Sequence, residues 1–86
     1  MELKKTVELM NSDDYKERFK AEYLQTKIRY ERLHSMIIKN EAGTLNFTPK
    51  CSLELLKQQK RHMGEYLFCL EVRAEIEGID LTTKEE

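Results

Sequence analysis

Two long helical stretches, each with apolar residues on two sides, constrain this chain more than any other feature. The first stretch spans residues 12–40. Phe19, Tyr23, Thr26, Tyr30, Leu33 and Ile37 recur there at three- and four-residue steps on one face, while Leu24 and Ile28 fall nearly opposite. The second stretch spans residues 51–78. Leu56, Met63, Leu67, Leu70 and Ala74 line one side of it, and Phe68, Val72 and Ile76 line the other. One stripe per helix is enough to close a two-helix hairpin. A second stripe must be buried elsewhere or remain as an adhesive patch. The pattern predicts an all-α fold: a short N-terminal helix plus an antiparallel two-helix hairpin, assembling into a homo-oligomer with its function at the junction between copies.

The 86 residues make one helical domain. Two helices enclose a modest core, and chains this small usually gain stability from disulfides, a metal or self-association. Cys51 and Cys69 have no metal-ligand spacing. On one helix they stand about five turns apart, too far to bridge within a chain. Free thiols fit a reducing compartment. The start, MELKKTVELM, lacks the apolar core of a secretory signal, and no window approaches the ~18 apolar residues of a membrane span. The expectation is a soluble cytosolic protein with no membrane partner.

Fifteen basic residues face sixteen acidic ones, for a formal net charge of −1. Proteins that wrap long nucleic acid carry a basic excess, so that partner is excluded. A small anionic ligand is not, because a few placed Arg or Lys residues hold two or three phosphates.

Residues 1–10 read as a short amphipathic helix with Leu3, Val7 and Met10 on one face. Ser12 is a suitable N-cap for the helix that follows, and Asp13 and Asp14 suit its positive end. Gly43 marks the exit of that helix. The linker, residues 41–50, holds the only proline, and its apolar Leu45 and Phe47 are expected to fold back onto the hairpin end. Pro49 or Ser52 opens the second helix. Gly64, inside that helix, either permits a close approach by a helix or ligand or is a tolerated surface glycine. The tail is 79–86, and within it Asp80 to Glu86 read as polar and frayed.

Catalytic groupings are thin. His34 and His62 lie on different helices without a paired carboxylate, and no HExxH, CxxC, GxSxG or phosphate loop occurs. The chain is expected to be no enzyme and to need no cofactor. Recognition chemistry is richer. The first helix interleaves Tyr15, Arg18, Phe19, Lys20, Tyr23, Lys27, Arg29, Tyr30 and Arg32, the mixture that stacks purines and holds phosphates. Phe19, Tyr23 and Tyr30 lie on the core stripe, which leaves Tyr15, beside the helix start, as the stronger ligand candidate. The second helix carries a cationic patch, Lys57, Lys60, Arg61 and His62, whose plain reading is a solvated face.

The run Leu55-Leu56-Lys57-Gln58-Gln59, then Met63, Tyr66, Leu70 and Arg73, resembles a phage family whose members read LL-basic-x-Q-x-x-x-M-x-x-Y-x-x-x-L-x-x-R. Tyr15, Arg18 and Glu22 stand where members show Y-x-x-R-x-x-x-E, Leu33 closes the helix in register, and Phe47 and Pro49 match linker positions. The resemblance is to the phage anti-CBASS cyclic-oligonucleotide sponges, and among them to those of T-even phages. It covers Tyr15 to Ile76. It implies a small helical protomer that assembles into a hexamer and acts in the host bacterial cytoplasm. There it would bind cyclic dinucleotides such as cGAMP in pockets between protomers, and cyclic trinucleotides at separate sites, without cleaving either.

By that resemblance Tyr15 stacks on a base, with Arg29, or Lys27 as the near alternative, supplying the partner cation. Arg18 and Tyr30 complete the first candidate site. Lys57, Arg61 and Arg73 are nominated for a second. Where members often carry Lys after Glu22, this chain carries Tyr23. The alternative function is a helical adaptor or inhibitor that binds a host protein through an exposed apolar stripe. A structural phage component is a third reading, weakened by the absence of a long heptad run.

Overall fold

The computed structural model describes residues 2–82. Every regular element among them is helical. A 3-10 turn, Leu3–Lys5, leads into α1 (Thr6–Met10), followed by α2 (Tyr15–Ala42) and α3 (Leu53–Glu77).

The helix boundaries follow from their caps. The sequence placed the first long helix over 12–40 with Ser12 as its cap. Asp14 takes that role instead, in an extended conformation, its carboxylate accepting from the Lys16 N–H at 2.9 Å. Ser12 is occupied otherwise: its hydroxyl accepts from the Asp14 N–H and donates to Glu17. A carboxylate satisfies free N–H groups at the positive end of a helix better than a neutral hydroxyl. At the far end Gly43 turns left-handed, with φ 77°, and the N–H groups of Gly43 and Thr44 donate to the carbonyls of Asn40 and Lys39. α2 therefore continues past Asn40 to Ala42. Ser52 caps α3, accepting from the Leu55 N–H, so Pro49 lies ahead of the helix. Gly78, with φ 69°, ends α3 at Glu77.

α2 and α3 pack along one another in opposite directions. Tyr15 at the start of α2 meets Glu77 at the end of α3, and Glu41 at the end of α2 meets Lys57 near the start of α3. Phe19 and Tyr23 from α2 are buried against Leu67, Leu70 and Ala74 from α3. Leu70 is 1% exposed, and burying a side chain of that size stabilises by about 2 kcal/mol. Tyr23 keeps its hydroxyl satisfied by donating to Glu71 at 2.7 Å.

Three expectations are corrected here. Leu24 and Ile28 do not form an open stripe: Leu24 belongs to the buried core, Ala21 beside it is fully buried, and Ile28 is half-buried. α1 lies along α2 and covers this face from within the same chain. Gln25 reaches Met10 across the contact. The amphipathic reading of the N-terminal segment, with Leu3, Val7 and Met10 as its shared apolar face, does not describe the side that is buried. Val7 and Met10 are exposed, whereas Thr6 is fully buried and Leu9 packs on the core. Thr6 tolerates burial because its hydroxyl donates to the Leu3 carbonyl at 2.7 Å. Finally, the stretch expected to fray, residues 80–86, packs back onto the protein at Leu81. The Ile79 N–H donates to the Ala74 carbonyl, Ile79 is buried, and Leu81 packs against the core. The rest of the expected tail, 83–86, lies outside the described residues.

The outer stripe of α3 is uncovered. Phe68 is 66% exposed and Ile76 78%, with Val72 between them also open.

Candidate ligand-binding groove

The cationic patch of the second helix does not simply face solvent. Lys57, Lys60 and Arg61 follow the three- and four-residue spacing that holds side chains on one side of a helix. They line a groove of about 760 Å³ between α2 and α3, together with Tyr30, Gly64 and Phe68. A volume of this size is typical of small-molecule sites. His62, one step of about 100° further round the helix, leaves the patch and faces a separate apolar hollow beside Met63 and Tyr66.

Tyr30 forms the floor. Its ring lies against bare backbone at Gly64, where an added Cβ would come to 3.4 Å from the ring. The glycine thus serves the close approach of a neighbouring helix. His34 stacks on Tyr30 with 4° between the ring planes, and the Lys60 ammonium stands 5.8 Å from the Tyr30 centroid. Lys57 pairs with Glu41. That hydrogen bond, reinforced by the charge of Lys57, holds the Glu41 carboxyl below the ordinary carboxylate range and lifts the Lys57 ammonium above its own. Glu65 adds an acid at the rim. Arg61 makes no ion pair with any described residue.

The first candidate site is divided by the fold. Tyr15 meets neither Lys27 nor Arg29. Its hydroxyl donates to Glu77 at 3.0 Å and accepts from Arg73 at 2.8 Å. Arg73 also bonds Glu77 through Nε and lies over the Phe19 ring, 4.9 Å from its centroid. Arg73, nominated with Lys57 and Arg61, therefore stands at the opposite end of the helix pair with Tyr15. Arg18 donates to the Ser12 carbonyl and ties down the chain ahead of α2. Lys27 lies 5.9 Å over the Tyr23 ring. Arg29 is exposed on a different side of α2 from Lys27, since two residues turn a helix by about 200°. Tyr30 leaves the first grouping and joins Lys57 and Arg61 of the second.

Lys60, Phe68 and Glu77 were not among the nominated residues. Lys60 was legible from its i, i+3 spacing to Lys57. Glu77 was not, because its tie to Tyr15 joins positions at opposite ends of the sequence. No group of three or more potential metal ligands occurs among the described residues, and no helix among them is long and apolar enough to cross a membrane.

No curated protein and no solved structure matches the chain. A protein-family model, Sequestin, matches residues 13–76, which hold all of α2, the linker and all of α3 but its last residue. The chain belongs to the Sequestin family.

Proposed function

We propose that this protein sequesters cyclic di- and trinucleotide second messengers such as cGAMP without cleaving them, and so starves a host CBASS effector during infection by a phage of the T-even type. The family name denotes sequestration. The groove is the observation that carries the reading. It offers a flat aromatic ring at Tyr30, a second aromatic at Phe68 and the cations Lys57, Lys60 and Arg61 within one cleft. Purine faces stack on such rings while ammonium and guanidinium groups neutralise phosphodiesters. In this reading the protein is no enzyme. It works in the host bacterial cytoplasm, and it succeeds by affinity and copy number.

Self-association completes the proposal. Phe68 belongs to both the groove and the exposed stripe with Val72 and Ile76. Copies meeting along that stripe wall the groove, and a hexamer is the assembly the resemblance implies. Tyr15 and Arg29 lie about 21 Å apart along one helix. A ligand that used both would draw them from different copies.

Calorimetric titration against a panel of cyclic di- and trinucleotides tests the reading. Binding is expected with the messenger recovered intact after heat denaturation, and the K60Q/R61Q variant should bind at least ten-fold more weakly. Hydrolysed messenger, or no binding by any member of the panel, would refute it. The adaptor reading draws on the exposure of Phe68 and Ile76. A monomer by light scattering that ignores every cyclic nucleotide would favour it.

A further inference from the structure

The face of α2 that points away from the groove carries a second cavity. The linker folds back over the end of α2 as its Thr44 and Leu45 N–H groups donate to the Lys39 carbonyl. The space beneath has a volume of about 510 Å³ and is lined by Arg32, Ser35, Lys39, Thr44, Asn46 and Phe47, among others. Arg32 and Lys39 are seven residues apart. They share one side of the helix two turns from each other, about 10 Å along its axis. Both side chains are long enough to converge on one phosphate between them.

Three features separate this cavity from an ordinary solvated surface. No carboxylate lines it, whereas the groove holds Glu65 and Glu41 already neutralises its Lys57. The charged ends of Arg32 and Lys39 have no hydrogen-bond or ion-pair partner among the described residues. Phe47, 56% exposed, stands at the edge of the space instead of in the core. An open aromatic beside two unneutralised cations suits a ligand with one flat face and one concentrated negative charge. The Asn46 amide can both donate to and accept from a heterocycle edge.

The geometry points to a nucleoside monophosphate site under the linker, with the phosphate held between Arg32 and Lys39 and the base stacked on Phe47. The site is separate from the groove and independent of the messenger proposal.

Adenosine monophosphate is the probe, titrated calorimetrically against the full chain, with adenosine and inorganic phosphate as its two halves. The wild-type protein should bind the monophosphate more tightly than either half, and binding should weaken as salt rises. The R32Q/K39Q variant should lose at least ten-fold in affinity. Phe47→Ala should lose about ten-fold for the monophosphate and nothing for inorganic phosphate. All three positions are exposed, and circular dichroism checks that the variants remain helical. The assignment is overturned if the wild-type chain does not bind the monophosphate, or if R32Q/K39Q binds it unchanged. It is equally overturned if K60Q/R61Q abolishes binding, which would move the ligand to the groove, or if inorganic phosphate binds as tightly as the nucleotide. A chain that ignores cyclic nucleotides yet takes the monophosphate in this way would sink the messenger reading and leave this one standing.

Discussion

α2 and α3 are similar in length and both are dense in charge, yet they are covered differently. α2 is packed on two sides by its own chain, with α3 on one and α1 and the returning linker on the other. α3 is covered on one side only and leaves Phe68, Val72 and Ile76 in solvent. The two stripes looked alike in the sequence. The difference between them is what the chain keeps within reach. α1 is joined to α2 by a short connection, so it is held at high effective concentration beside Ala21 and Leu24. The segment after α3 turns towards the core and carries Ile79 and Leu81 there, away from the outer stripe. An apolar stripe therefore identifies a surface that needs cover. Chain connectivity decides whether the cover comes from the same molecule.

The largest test of this contrast lies in the shared core. Leu70→Ala should lower the unfolding free energy by about 2–5 kcal/mol in a denaturant titration. Leu24→Ala should cost a comparable amount. Combined with removal of residues 2–10, it should cost less than the sum of the two changes, because both delete the same contact. Strict additivity would return the second face of α2 to a contact between copies. On α3 the outcome should reverse. A F68S/V72S variant should unfold within about 0.5 kcal/mol of wild type at high dilution, while its mass by light scattering falls. A large loss of stability in the dilute chain would mean that this stripe is already covered from within.

The smallest effect is electrostatic. The folded pKa of Glu41 is depressed, so its pairing with Lys57 stabilises above the ordinary carboxylate value and is lost as pH falls through the folded one. The folded pKa of Lys57 is raised, so the same contribution is present below the ordinary ammonium value and is lost as pH rises through the raised one. Glu41→Gln should flatten both limbs of the stability–pH curve only slightly, because the pair is exposed and salt-screened.

The helices themselves were legible. The spacing of Phe19, Tyr23, Tyr30 and Ile37 marked the contact face of α2, and Gly43, Ser52 and Gly78 marked ends because their conformations and hydrogen bonds are local chemistry. The occupant of each face was not legible. Periodicity gives Leu24 a direction but says nothing about whether α1 or another copy lies there. The candidate site divided for the same reason. Lys57, Lys60 and Arg61 converge through helical spacing and could be grouped from the sequence. Arg73 was grouped with Lys57 and Arg61 through the family resemblance, yet it lies more than three turns beyond Arg61, about 18 Å along the axis, where Tyr15 and Glu77 receive it. Lys27 and Arg29 were adjacent options on paper, but one helical step of two residues sets them on different sides.

The left-handed turn at Gly78 has a practical consequence for anyone handling this protein. By swinging the chain back beneath the helices, it adds Ile79 to the hydrophobic interior and lays Leu81 against it. A version trimmed at the visible end of α3 would open a hole where those two side chains sit. Purification handles should therefore be appended after residue 82, with nothing before it removed.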